Sequence, residues 1–332
     1  MARPAGILSF LVLAGLLAGS AAAWSADSAG ALPAPVDAAW RDAARQREIP
    51  VRVRAPSGAA SARPVILFSH GLGGSRDAGT HWAEHWAANG FFVVHLQHPG
   101  SDESVWKGPG GAPQEKLATL KSAASGPQLV ARSRDVAFVL DELARRRASG
   151  DPLLAGADLS RIGLAGHSFG AHTTLAAAGQ RVVRPGGAEP LLLEPRIRAA
   201  IAFSPAANPR DPDPAASFGA IRIPVMSLTG TLDGDVIGNG ATPAQRTVPF
   251  ENMKAPGKYL AVFEGADHAV FGGLPRRRGS ATSDSRVRAA TRELTLDFWR
   301  AHLDDDESAR RRLEPTNARR LLSAGDRYEA KP

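Results

Sequence analysis

Short runs of apolar residues, most of them apolar at successive positions, recur along this chain at 51–53, 65–68, 91–96, 162–165, 199–203, 225–228 and 259–263. A strand with one wet face alternates apolar and polar side chains, so uninterrupted runs predict strands buried on both faces. Segments of helical length lie between them at 80–88, 129–147, 171–178 and 286–302. In the second of these, Val130, Val136, Val139, Leu140 and Leu143 fall near helical spacing, with arginines elsewhere. Such alternation predicts right-handed crossovers and an α/β fold: a mostly parallel central sheet covered by helices on both faces. Long loops at 97–128, 204–222 and 231–257 each follow a strand. They are expected at the carboxyl edge of the sheet, where open α/β folds bind ligands.

The chain begins with Arg3, an uncharged apolar run from Gly6 to Gly19, and Ala21-Ala22-Ala23 as a cleavage site. Together these read as an export signal. The expected organisation is a signal peptide at 1–23 and one α/β domain over 24–332. A charged tail from about Asp304 reads as a solvated helix plus a loose end. No later stretch is long and apolar enough to span a bilayer, so stable membrane insertion is not expected. With no cysteine, neither a disulfide nor a lipidated N-terminal cysteine can form, and the fold must rest on its core. The expected location is exported, periplasmic or secreted, in a bacterium. The formal charge of +7 raises nucleic-acid binding as an option. Scattered arginines, only two tyrosines and no recognised motif argue against it, and Arg276-Arg277-Arg278 reads as a solvated loop.

The chemistry is carried by "RIGLAGHSFGAHTT" at 161–174. Gly166-His167-Ser168-Phe169-Gly170 fits G-x-S-x-G, in which a strand turns sharply into a helix with the serine exposed at the apex. A serine hydroxyl needs a base, and the base needs an orienting acid. On a hydrolase sheet of this kind the chain order is serine, acid, histidine. "VMSLTGTLDGD" ends a later strand and offers Asp233 and Asp235; "FEGADHAVF" ends the last strand and offers His268. Asp233, three residues after Gly230, is the favoured acid, with Asp235 as the alternative. His167 is expected beneath the elbow, His172 along the pocket, and His95 and His98 as strand-end residues lining the cleft. Asp267 reads as a loop residue. Two backbone N–H groups must hold the oxyanion. Phe169 supplies one, and Leu72, in the loop "FSHGLGGSR" after another strand, supplies the second. A rival reading is "HWAEH" at 81–85, which fits the zinc-protease pattern H-x-x-E-H, but it reads equally as an amphipathic helix with Trp82 and Trp86 partly buried.

These residues resemble the α/β-hydrolase superfamily. Within it they look most like bacterial exported esterases related to platelet-activating-factor acetylhydrolase and dienelactone-hydrolase-like proteins. The resemblance rests on "REIPVRVRAP", "FSHGLGG", "HPGSD", "RDVAFVLDEL", "GHSFGAHTT", "TGTLDGD" and "GADHAVF". It implies an α/β-hydrolase fold and a serine esterase without metal or organic cofactor, acting on a small-molecule ester. Ser168, Asp233 and His268 become the triad, with Leu72 and Phe169 as oxyanion donors. Amide or peptide hydrolysis on the same triad, and a silent binding protein of hydrolase fold, are the alternatives. Two features depart from the resemblance. Dienelactone hydrolases use cysteine, absent here. The animal acetylhydrolases take their acid after the strand that follows the nucleophile, where this chain has Ser204 in "AIAFSPAANP".

Overall fold

The computed structural model describes residues 31–331 except 59–61, 108–111, 182–191, 237–239 and 274–280. The export segment and the Arg276–Arg278 run fall outside the described residues. Strands are β1 (Val36–Asp42), β2 (Arg47–Arg54), β3 (Arg63–Ser69), β4 (Phe92–Leu96), β5 (Ala157–His167), β6 (Ile197–Phe203), β7 (Val225–Leu232), β8 (Lys258–Asp267) and β9 (Arg327–Lys331). The helices are α1 (Thr80–Ala88), α2 (Ser104–Lys107), α3 (Pro113–Ala123), α4 (Gly126–Ala148), α5 (Phe169–Ala177) and α6 (Pro214–Gly219). They continue with α7 (Val248–Asn252), α8 (His268–Phe271), α9 (Ala281–Leu303), α10 (Glu307–Arg312) and α11 (Pro315–Ala318).

One sheet runs in the order β1-β2-β4-β3-β5-β6-β7-β8-β9. The strands from β4 to β8 along it are parallel, while β1, β2 and β9 are paired antiparallel at its margins. Successive residues of β3 separate to opposite faces, as an unbroken apolar run requires. Ile66 and Phe68 join the core under α1 and α9 with Trp82, Trp86 and Trp299. Val65 and Leu67 join the core under α4 with Val136, Val139, Leu140 and Leu143. The arrangement is that of an α/β-hydrolase.

Strand order reverses beside β3: the chain steps outward to β4, then returns past β3 to β5 and continues the other way. The loops after β3 and β5 therefore leave the same edge on either side of this reversal, the place at which open α/β sheets commonly bind ligands.

The sequence reading missed β1, β9 and α3. In β1 only Trp40 and Asp42 are buried, and in β9 only Tyr328. Edge strands thus lack the apolar run by which strands were sought. Helix α3 buries only Ala123, so it has no apolar stripe to betray it. The loose end expected after Asp304 is corrected outright: α10, α11 and β9 close the sheet edge. Tyr328 Oη donates to the Leu313 carbonyl at 2.9 Å, and Asp326 takes the N–H groups of Glu264 and Ser323 at 2.8 Å each. Among the described residues, no helix is long and apolar enough to cross a membrane.

Candidate active site

Register brings the candidate residues to one edge. His167 pairs with Phe203 at the end of β5 and β6, and Leu232 pairs with Asp267 at the end of β7 and β8. Ser168, Asp233 and His268 each lie one residue beyond such a pair. Ser168 has φ 56° and ψ −115°, a backbone conformation that L-residues seldom adopt and that the surrounding structure must enforce. Its N–H donates to the Phe203 carbonyl at 2.9 Å, and α5 begins at the next residue. The flanking glycines are obligatory. A Cβ on Gly166 would sit 2.2 Å from the Gly170 carbonyl oxygen, and one on Gly170 would sit 1.9 Å from that of Ser69. The strained, part-exposed serine is thus what the G-x-S-x-G spacing predicts.

Asp233 and His268 meet: His268 Nδ1 is 2.8 Å from Asp233 Oδ1, and Thr229 Oγ1 donates to Oδ2 at 2.8 Å. Asp233 is fully buried. Burial pushes its carboxyl pKa up, but the His268 hydrogen bond and the Arg246 charge outweigh this and hold it below the usual range. Since an ionised carboxylate only accepts, His268 carries its proton on Nδ1 and presents Nε2 as the basic nitrogen. Asp235 is exposed and accepts the Gly240 N–H at 2.6 Å. Asp267 caps α8 by accepting from Ala269 and Val270. The geometry therefore pairs Asp233, rather than either neighbour, with the histidine.

Arg246, within the 231–257 loop, was not visible from the sequence as part of this site. Its guanidinium lies 3.2 Å from Asp233 Oδ1 and donates to the carbonyls of Ser204, Asp233 and Gly234 at 2.9, 3.2 and 3.2 Å. It clamps the turn carrying Asp233 to the end of β6. Ser204, at φ 52°, has a buried hydroxyl that faces Asp233 and adds a smaller lowering of its pKa.

His167 does point beneath the elbow. Its Nε2 donates to the His268 carbonyl at 3.0 Å, and the two rings lie 4.6 Å apart. Burial, then the neighbouring His268, lower its pKa to about 3, so the ring is neutral. The residue before Ser168 thereby holds the backbone of His268, which links the elbow to α8. His172 stands half-buried near the Phe169 ring, with its pKa lowered to about 4 by burial and then by Arg246 and Arg132.

Opposite the elbow runs the loop His70-Gly71-Leu72-Gly73-Gly74. A Cβ built on Gly71 would lie 3.4 Å from Ser168 Cβ, so this loop and the nucleophile elbow are in direct contact. Among the described residues, the N–H groups of Leu72 and Phe169 donate to no protein atom. Trp106 Nε1 braces the loop by donating to the Gly73 carbonyl at 2.7 Å.

Two expectations need correction. His95 and His98 do not line the cleft. Both are buried, His95 against the Phe68 ring and His98 between Ser69 and Asp135. Trp82 and Trp86 are sealed completely, their indole N–H groups bonded to the Phe271 carbonyl and Thr295 Oγ1 at 3.0 Å each. Within "HWAEH", His85 Nδ1 takes a hydrogen bond from Arg292 at 2.9 Å. Burial and then Arg292 lower the pKa values of both His81 and His85. A cation held there would face arginine, which makes this helix a poor metal cradle.

The family model described as platelet-activating factor acetylhydrolase, isoform II, matches residues 38–107. The match spans β1 to α2 and so includes the loop bearing Leu72, but it stops short of the elbow. No curated protein matches the chain.

Proposed function

We propose that this chain, an α/β-hydrolase resembling platelet-activating factor acetylhydrolase, cleaves carboxylic esters through an acyl-serine intermediate. The observation that carries the reading is the 2.8 Å contact between His268 Nδ1 and the buried Asp233 carboxylate, at the same sheet edge as a strained serine elbow. Ser168 Oγ attacks the ester carbonyl while His268 Nε2 takes its proton, and Asp233 stabilises the imidazolium that forms. The negative oxygen of the tetrahedral intermediate is held by the N–H groups of Leu72 and Phe169. Collapse expels the alcohol, which receives the proton from His268. Water then attacks the acyl-serine with His268 as base and releases the acid. The unused N–H groups on each side of the elbow support this assignment, because an oxyanion would supply the acceptor they lack.

A fluorophosphonate should label the wild-type protein at Ser168 and leave Ser168→Ala unlabelled, with hydrolysis of p-nitrophenyl esters lost in that variant. Unchanged turnover in Ser168→Ala would remove the serine from the mechanism. Matched rates on an ester and its anilide would assign amide hydrolysis instead. We also propose export directed by residues 1–23. Mature protein recovered outside the cytoplasm should begin at Trp24, and retention with an intact N-terminus would refute this.

A further inference from the structure

Arg132 looks unremarkable in sequence, one of several arginines on an amphipathic helix, yet it is fully buried. Among the described residues no carboxylate touches it; Asp135 and Asp102 act on it only through space. Its guanidinium is spent instead on the loops that follow β3 and β4. Nη1 donates to the His70 carbonyl at 2.7 Å, Nη2 to the Gly71 carbonyl at 3.4 Å and to that of Ser101 at 3.3 Å, and Nε to Ser101 Oγ at 2.8 Å. Its Cζ lies over the Phe169 ring, 4.5 Å from the ring centre. One cation therefore grips both segments whose N–H groups face the proposed oxyanion.

The Gly71 carbonyl is the other end of the peptide unit that carries the Leu72 N–H. It accepts from Arg132, from the Gly74 N–H at 3.1 Å and from His70 Nδ1 at 2.6 Å. The His70 tautomer follows from its surroundings, since Nε2 accepts the His98 N–H at 2.9 Å and the proton must then sit on Nδ1. Positive charge and N–H donors gathered at the oxygen end of a peptide align its dipole and strengthen its N–H as a donor. A buried cation without a contacting carboxylate is costly, and such costs are retained where charge develops during reaction.

We propose that Arg132 is a positioning residue that fixes and polarises the oxyanion donors; this rests on the ester-hydrolase reading above. Its guanidinium sets the loop at Leu72 against the elbow at Phe169 and places positive charge behind the Gly71–Leu72 peptide. Arg132→Gln removes the charge, whereas Arg132→Lys keeps it but cannot span several carbonyls at once.

The test uses the full chain with p-nitrophenyl acetate, with kcat expressed per serine titrated by a fluorophosphonate. It also measures inhibition by a trifluoromethyl ketone, which forms an oxyanion on the serine, and by the matching alcohol, which does not. Arg132→Gln should lower kcat by about 10- to 100-fold, less than deletion of a donor, with KM within about threefold. The trifluoromethyl ketone should weaken by the same factor while the alcohol binds unchanged; Arg132→Lys should fall between. A purely structural role would reduce the titratable fraction and leave kcat per site alone. That result, or parallel weakening of ketone and alcohol, overturns the proposal. Should Arg132→Gln fail to fold, Arg132→Lys decides alone: matched losses in kcat and ketone affinity support the role, and wild-type values overturn it. Activity surviving Ser168→Ala would overturn the hydrolase reading together with this one, whereas loss there with a normal Arg132→Gln overturns only this one.

Discussion

Two His–Asp pairs each share the carboxyl edge of this sheet with a serine, and only one of those serines is part-exposed. In the first, Ser69 Oγ lies 3.0 Å from His98 Nε2, and His98 Nδ1 lies 3.0 Å from Asp135 Oδ2. In the second, His268 Nδ1 lies 2.8 Å from Asp233 Oδ1, beside the elbow that carries Ser168. The residue types and the Nδ1–carboxylate contact are alike; the surroundings are not. Ser69, His98 and Asp135 are all sealed from solvent, and Ser69 sits in an ordinary strand whose hydroxyl substrate cannot reach. Ser168 is part-exposed, strained, and near two N–H groups that have no acceptor among the described residues. A triad is therefore an accessible, oriented nucleophile with somewhere to put negative charge, and three residue types in a line do not suffice. The sealed chain has a different task. Arg45 and Arg47 bind Asp135 at 2.8 Å each, and His98 in turn supports His70, so the network ties the margin of the sheet to the loop beside the elbow.

The sharpest way to break this comparison is to delete each serine. Ser168→Ala should lower kcat by about 10⁶. Ser69→Ala should leave kcat within about threefold and cost roughly 1–3 kcal/mol of stability, because His98 Nε2 is left buried without its partner. Steady-state kinetics with urea denaturation on both variants decides. Comparable kinetic losses would mean that the sealed chain opens during turnover.

The acids separate next. Asp233→Asn should reduce kcat by about 10⁴, since the amide favours the wrong imidazole tautomer. Asp135→Asn should act on folding, at about 3–5 kcal/mol, because Arg45 and Arg47 lose a buried countercharge. An Asp135→Asn protein with wild-type unfolding free energy would refute the tie described above.

How far the two chains were legible in the sequence follows from what holds them together. The elbow could be read because close backbone approaches force glycine at 166 and 170, and Asp233 and His268 because strand ends announce themselves locally. Nothing local marks Asp135 or Arg132. On an amphipathic helix they share the spelling of surface charges, and only packing from residues 45–47, 70–71 and 98–101 buries them. Arg246 was hidden for the same reason, within a loop whose partners are remote in sequence.

Protonation offers a gentler probe. Burial, then Arg132, lowers the His98 pKa from 6.5 to about 4, although Asp135 pulls the other way; Arg47 adds to the lowering. With a depressed folded value the unfolded chain binds the proton first. His98 therefore contributes full stability above about pH 6.5, loses it as pH falls toward about 4, and is level below that. The loss across the window is on the order of 3 kcal/mol. His95 and His167, lowered to about 3 by burial, should steepen the same decline. His98→Asn should make the fall in unfolding free energy between pH 7 and pH 4.5 shallower by about one proton. An unaltered pH slope would show that the imidazole is not held neutral between Ser69 and Asp135.

The smallest expected effect tests the boundary of the working chain. Asp235 lies two residues from Asp233, yet it is exposed and bonded to the Gly240 N–H, and its charge pulls on Arg246. Solvent screens an exposed charge, so Asp235→Asn should change stability by less than about 0.5 kcal/mol. It should change kcat by less than about threefold, through a slightly freer Arg246. If it instead matched the loss of Asp233→Asn, the turn after β7 would have to rearrange on substrate binding and exchange one carboxylate for the other. Arg246 opposes that exchange, because its bonds to Ser204, Asp233 and Gly234 pin the turn in the register that presents Asp233.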